Sequence, residues 1–188
     1  MKTDQNTLTT AINPFAQRKL YFIRVAFSAI WVTLVALFTR SMPLAATILL
    51  VIYPAWDVVA TAWDISINKG QNLTAQYVNT AISVIVTIAV AIASQSGVPA
   101  ALIVFGIWAG LTGIIQLITG LQRRKQLDGQ WPMIISGGQS LLAGVSFIVM
   151  AHQPGMGIVN LAGYSAFGAF YFLLAGIRVV KNTQRVGV

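Results

Sequence analysis

The chain has no cysteine and no glutamate, and only one histidine and four aspartates among its 188 residues. Without cysteine there can be no disulfide, no thiol nucleophile and no thiolate metal site. Charge is scarce too: 9% of residues are charged, against about 25% in a soluble domain, so a soluble fold is excluded. So few acids and a single imidazole leave almost none of the usual catalytic groups, and we expect no enzyme, no cofactor and no metal. Apolar residues, by contrast, make up 56% of the chain. That is more apolar surface than a chain this short can bury in its own core, so lipid must cover the rest.

A transmembrane helix needs about 20 mostly apolar residues. Six stretches qualify, at roughly 20–39, 43–63, 75–94, 98–121, 132–151 and 156–178. Short polar or Pro/Gly segments separate them, such as Arg40-Ser41-Met42-Pro43 and His152-Gln153-Pro154-Gly155. Runs such as Ala81 to Ala93 are apolar on every side, which is helical and unlike the alternating pattern of a membrane barrel strand. The expected fold is an all-α polytopic membrane protein of six transmembrane helices. Residues 1–19 form an N-terminal tail, 20–181 a single transmembrane domain and 182–188 a C-terminal tail.

Lys and Arg favour the cytoplasmic side. With the N-terminus inside, eleven of the twelve, including Lys2, Arg18, Lys19, Lys69, Arg178, Lys181 and Arg185, fall at the inner end, and only Arg40 falls outside. Both termini are therefore expected in the cytoplasm, and short loops suit a bacterial inner membrane. The first apolar run ends in Phe38-Thr39-Arg40, with no small-residue cleavage pattern, so it reads as a retained helix. Asn72-Leu73-Thr74 matches a glycosylation sequon but falls on the expected cytoplasmic side.

The even-numbered spans carry Tyr53-Pro54-Ala55-Trp56, Phe105-Gly106-Ile107-Trp108 and Leu161-Ala162-Gly163-Tyr164, and each runs on to a basic end. Each odd-numbered span ends at a proline-containing turn, at Pro43, Pro99 or Pro154. This reads as three parallel pseudo-repeated hairpins, at about 20–64, 75–125 and 130–181. Small residues let helices approach closely in lipid. Gly106 and Gly110 form a GxxxG pair, while Gly113 with Gly120 and Gly137 with Gly144 are heptad-spaced; Gly168 lies among further small residues in the last span. Packing within the chain is the expected use, and a homo-oligomer seam the alternative.

Ionisable residues inside spans are functional suspects. Arg24 lies five residues beyond Lys19, roughly 7 Å deeper at the helical rise. Asp57 lies seven residues before Asp64, and so roughly 10 Å deep. The two belong to neighbouring spans at similar depth, so an Arg24–Asp57 ion pair is expected. Asp57 and Asp64 share a helix face, each follows a tryptophan, and Pro54 adds a kink above them. Asn79, Gln116 and Gln139 could complete a polar layer in the inner half. Such a layer serves either as glue between hairpins or as a solute site. Arg123, Arg124 and Lys125 suit anionic lipid headgroups, at about 1 kcal/mol per residue. His152, in an outer turn, reads as a solvated loop residue. The net charge of +8 follows from topology and gives no reason to expect nucleic acid. An enzyme acting on lipids would have only Asp57, Asp64 and Asp128 near the inner interface, with no histidine beside them.

The stretch Phe105-Gly106-Ile107-Trp108, Gly113, Arg123-Arg124 and Gly129-Gln130-Trp131, within three two-helix repeats, resembles the HdeD family of short-repeat bacterial inner-membrane proteins. The resemblance implies an association with acid or stress resistance and supplies no catalytic residues. The segment from Tyr53 to Asp64, with its two aspartates, is more polar than the resemblance leads one to expect of a first hairpin. The expected role is non-enzymatic, structural or partner-binding. The alternative is a small transporter or channel built on the Arg24/Asp57 layer, for an unnamed small-molecule ligand.

Overall fold

A computed structural model describes residues 13–125, 127 and 129–186, with side chains described as far as residue 179. Asp128, the outermost parts of both tails and the side chains of Lys181 and Arg185 lie outside the described residues. The described chain is helical: α1 (Pro14–Phe38), α2 (Pro43–Ile67), α3 (Thr74–Ala93), α4 (Val98–Arg123), α5 (Trp131–Met150) and α6 (Ile158–Val186). All six are long and apolar enough to span a membrane.

Helix α1 starts six residues before the apolar stretch that marks it in the sequence. The reason is a local start signal ahead of that stretch. Asn13 Oδ1 accepts from the backbone N–H of Phe15 at 3.0 Å and of Ala16 at 3.2 Å, and Pro14 occupies the first helical position, where its missing N–H costs nothing. Helix α2 continues through Pro54. One turn earlier, in the stretch that the proline weakens, the Leu49 carbonyl accepts the Trp31 indole N–H at 2.8 Å.

Each helix packs on its neighbours in the chain, and α6 closes the ring on α1. Phe22 and Tyr21 meet Gly176 while Arg24, further along α1, meets Phe172, earlier in α6; the two helices are antiparallel. The start of α1 and the end of α6 thus share one end of the bundle with the α2–α3 and α4–α5 connections. We call this the basic end. The most extensive contacts are α4–α5, α1–α6 and α2–α3, which run between the hairpins marked out in the sequence rather than within them.

The α4–α5 contact is made by backbone against backbone. A Cβ on Gly106 would stand 2.7 Å from the Gly144 carbonyl, and one on Gly113 2.8 Å from that of Gly137. A Cβ on Gly120 would stand 3.0 Å from Ile134 Cγ1. The series therefore runs by sevens along α4 and meets Gly144, Gly137 and then Ile134 in the opposite direction along α5. Gly110 joins the seam through its backbone, 2.6 Å from a Cβ on Gly144, while its own Cβ position has only Leu141 Cδ1 near it, at 3.9 Å. At Gly168 nothing lies within 4 Å of the Cβ position, so no close approach there requires a glycine.

The α3–α4 turn is a single 3-10 turn (Ser94–Ser96) followed by Gly97 at φ 105° and ψ 174°. That backbone region is essentially closed to residues with a Cβ, at a cost of about 1–3 kcal/mol. Gly97→Ala is accordingly expected to lower the thermal unfolding midpoint in detergent, and an unchanged midpoint would show that the turn relaxes freely.

The half of the bundle away from the basic end is filled by Trp31, Leu50, Leu102, Phe105 and Leu161, each buried almost completely. Leu44, Ile85, Leu142 and Val149 face outward and are well exposed, as a lipid-facing surface requires.

Candidate functional site

Two carboxylates on α2 organise the interior toward the basic end. Asp57 Oδ1 accepts from Arg24 Nη1 at 2.9 Å. Its Oδ2 accepts from Asn79 Nδ2 at 2.6 Å and from Ser83 Oγ at 2.9 Å. Two turns along α2, Asp64 Oδ2 accepts from Arg123 Nη2 at 2.5 Å and from Gln76 Nε2 at 3.4 Å. Its Oδ1 accepts from Gln17 at 3.2 Å and Asn68 at 3.0 Å. Thr61 lies between the two acids, and its hydroxyl accepts from Arg24 at 3.3 Å and Asn79 at 3.1 Å. Each acid thus joins α1, α2 and α3. Arg123 brings α4 to the outer pair, and the Trp108 indole, donating to Ser83 Oγ at 3.0 Å, brings it to the inner one. Buried charges are tolerated where both partners are present and further hydrogen bonds are made; here each carboxylate has its guanidinium and further neutral donors.

The sequence reading placed Arg123 at the lipid headgroups with Arg124 and Lys125. The structure corrects this: Arg123 is 9% exposed and turned inward onto Asp64. It is the last residue of α4, one turn after Gly120, and so follows a helix face that is already buried. Arg124 and Lys125 are exposed.

The polar layer also differs from expectation. Asn79 bridges the two acids' surroundings, and Gln116 donates to the Met133 carbonyl at 3.3 Å. Gln139 is half-buried on α5 and stands outside the cavity wall. It is rotated about 100° around the helix from Ser140, which lines the cavity. Gln17, Gln76 and Ser83 were not singled out in the sequence, and Gln130 entered only as part of the stretch that carries the resemblance. Gln17 lies before the apolar run, and the early start of α1 brings it inside; Gln76 lies in the first turn of α3, at the edge of its run. His152 is exposed in its turn.

These groups surround a cavity of about 130 Å³. Its wall includes both ion pairs, Gln76, Gln130, Ser136 and Ser140, and Gly168 leaves room on the α6 side. Away from the basic end it stops at an aromatic layer. Tyr53 packs against Trp31 at 4.6 Å, Trp108 at 5.7 Å and Phe105 at 5.8 Å between ring centroids, and Tyr164 against Phe147 at 5.8 Å. Near the basic end a second cavity, of about 260 Å³, is lined by Asn68, Asn72 and Gln122 from the connecting segments and helix ends. The two cavities share Gln76, Thr119 and Arg123 as a common wall. On one side the polar interior thus shares a wall with the second cavity; on the other a buried apolar and aromatic cluster closes it.

A ring of six membrane-spanning helices around a polar, charge-paired interior is the class of protein that fold and site define. Residues 78–149 match the family model described as a short repeat of unknown function (DUF308), in agreement with the HdeD-like resemblance of the central stretch. The matched segment runs from early α3 to the end of α5 and contains the glycine seam, Asn79, Ser83 and Arg123. The helix that carries both acids lies outside it. No curated protein and no solved structure matches the chain.

Proposed function

We propose that the protein binds and passes a small polar solute through its membrane-embedded cavity, which is reached from the basic end. The carrying observation is the cavity itself. Ion pairs that served only as glue between helices would be best enclosed by close packing, because every void forfeits dispersion contacts. Here both pairs instead line open space that shares a wall with the second cavity. This supports the solute-site reading over the structural or partner-binding role that the sequence alone favours. The protein acts without bond-making chemistry. By the distribution of Lys and Arg, the basic end faces the cytoplasm of a bacterial inner membrane, with Arg124 and Lys125 among the anionic headgroups. The stress or acid-resistance role that the HdeD-like resemblance implies would be the physiological setting of such a solute.

The natural lack of cysteine gives a direct test. Ser136 lines the cavity and is 4% exposed; Ala101 lies in the apolar half and is 0% exposed. In liposomes, methyl methanethiosulfonate should modify Ser136→Cys readily and Ala101→Cys slowly or not at all. Equal resistance of the two would mean a sealed void and would end this reading.

A further inference from the structure

The polar side chains of α5 point two ways. Ser136 and Ser140 line the cavity. Gln139 and Ser146 do not. Each follows a seam glycine, Gly137 or Gly144, by two residues, and so lies about 200° around the helix from the contact with α4. The Ser146 hydroxyl donates to the Leu142 carbonyl of its own helix at 2.9 Å and is thereby satisfied. Gln139 has no such outlet. Its amide makes no hydrogen bond with a described residue and lines neither cavity. Nor are its amide atoms sealed inside the protein. Its depth is the difficulty. Trp131, at the start of α5, has the Arg178 guanidinium 4.8 Å from its ring centroid, a pair suited to the headgroup level. Gln139 is eight residues further on, roughly 12 Å deeper at the helical rise, in a hydrocarbon layer about 30 Å thick. A glutamine side chain cannot reach headgroups from there, and hydrocarbon offers it neither donor nor acceptor. Such an amide calls for an adjoining helix that offers both.

The residues around it form a seam for one. Ile135, Gln139, Leu142, Ser146 and Val149 are spaced four and three residues apart in turn, the spacing of a coiled-coil contact. Ile135, Leu142, Ser146 and Val149 are all exposed. In a parallel pair of helices each seam residue meets its own counterpart, and one polar residue in the seam fixes register and the number of strands. A primary amide is self-complementary, since each of two can donate to the other's oxygen. Depth selects the partner. Copies of this chain inserted in the same sense hold Gln139 at the same height on parallel helices. A twofold axis along the membrane normal therefore brings the two amides together with no shift in register. Independently of the cavity, we propose that the outward face of α5 is a homodimer interface, in which Gln139 pairs with Gln139 of a second copy.

The absence of natural cysteine allows a matched pair of probes. Leu142 lies eleven residues beyond Trp131, the first residue of α5, and is 71% exposed. Ile85 lies eleven residues beyond Thr74, the first of α3, and is 66% exposed. Both helices start at the basic end, so Leu142→Cys and Ile85→Cys place a thiol at the same depth on two outward faces. In liposomes of the purified protein at a low protein-to-lipid ratio, iodine should oxidise Leu142→Cys to a cross-linked dimer and leave Ile85→Cys largely monomeric. Energy transfer between copies labelled at their N-termini, followed on dilution with lipid, gives the dissociation constant. Gln139→Leu should raise it about tenfold, as two hydrogen bonds of the strength found between membrane helices imply, and should lower the cross-linking of Leu142→Cys in step. The thermal midpoint of the monomer in excess detergent should hold, because the amide has no partner within the chain. Chains that stay monomeric at every density would overturn the proposal and leave the face to lipid or to another protein. Cross-linking of Ile85→Cys as efficient as that of Leu142→Cys would do the same, by showing mere collision. A dimer whose dissociation constant is untouched by Gln139→Leu would remove the amide pair and the argument with it. A lowered midpoint of the detergent-held Gln139→Leu monomer would show that the amide is bonded within the chain, which equally ends the proposal.

Discussion

Arg123→Met should be among the most destabilising single substitutions in the protein. It leaves Asp64 ionised and 6% exposed with amide donors but no compensating charge. Removing one partner of a buried pair costs about 3–5 kcal/mol. The thermal midpoint in detergent should fall steeply. Asp64→Asn should do the same from the other side, by stranding the guanidinium. The informative variant is the double substitution, Arg123→Met with Asp64→Leu. With both charges gone it should recover much of the loss, and the interaction energy from the cycle reports the coupling between them. Two single effects that simply add would mean that Arg123 and Asp64 do not depend on each other, and that Arg123 reaches the lipid after all.

The second large effect belongs to the α4–α5 seam. A Cβ on Gly144 would stand 2.5 Å from the Gly106 carbonyl and 2.6 Å from the Gly110 nitrogen. Both are backbone atoms, so no side chain can swing aside; the helices must part. Gly144→Val should therefore reach the upper end of the about 1–3 kcal/mol typical of overpacking. Gly138, six residues away on the same helix, has nothing within 4 Å of its Cβ position, so Gly138→Ala should leave stability unchanged or slightly raised. Comparing the two midpoints separates the effect of the seam from the general preference of helices for alanine over glycine. Equal midpoints would show that α4 and α5 can shift apart without loss.

How much of this was readable in the residues depends on which coordinate each feature needs. Axial position can be counted along a chain. Six apolar runs give six helices, and the heights of Arg24 and Asp57 on two successive antiparallel helices follow from the rise per residue. Rotation and ring order cannot be counted in this way. Arg123 and Asp64 lie on helices that are not successive, so nothing local joins them, and a cationic residue at a helix end reads as a headgroup ligand. Gln139 was misjudged for the same reason: its height suits the polar layer, but its azimuth does not. In the glycines, both spacings carried the signal: the heptads on α4 and α5 mark the seam, and Gly106 and Gly110 of the GxxxG pair both lie under Gly144. The cavity was not legible at all. An empty space is set by what several helices fail to fill, and no stretch of one helix records it.

The glycine seam also limits how this molecule can change shape. Helices that touch through their backbones have no rotamers to rearrange between them, so α4 and α5 move as one body or not at all. Arg123 rides on that body, and Asp64 belongs to α2, outside it. Any widening of the basic end must therefore come from displacing α2 and its neighbours against a fixed α4–α5 wall. The Arg123–Asp64 ion pair crosses that joint.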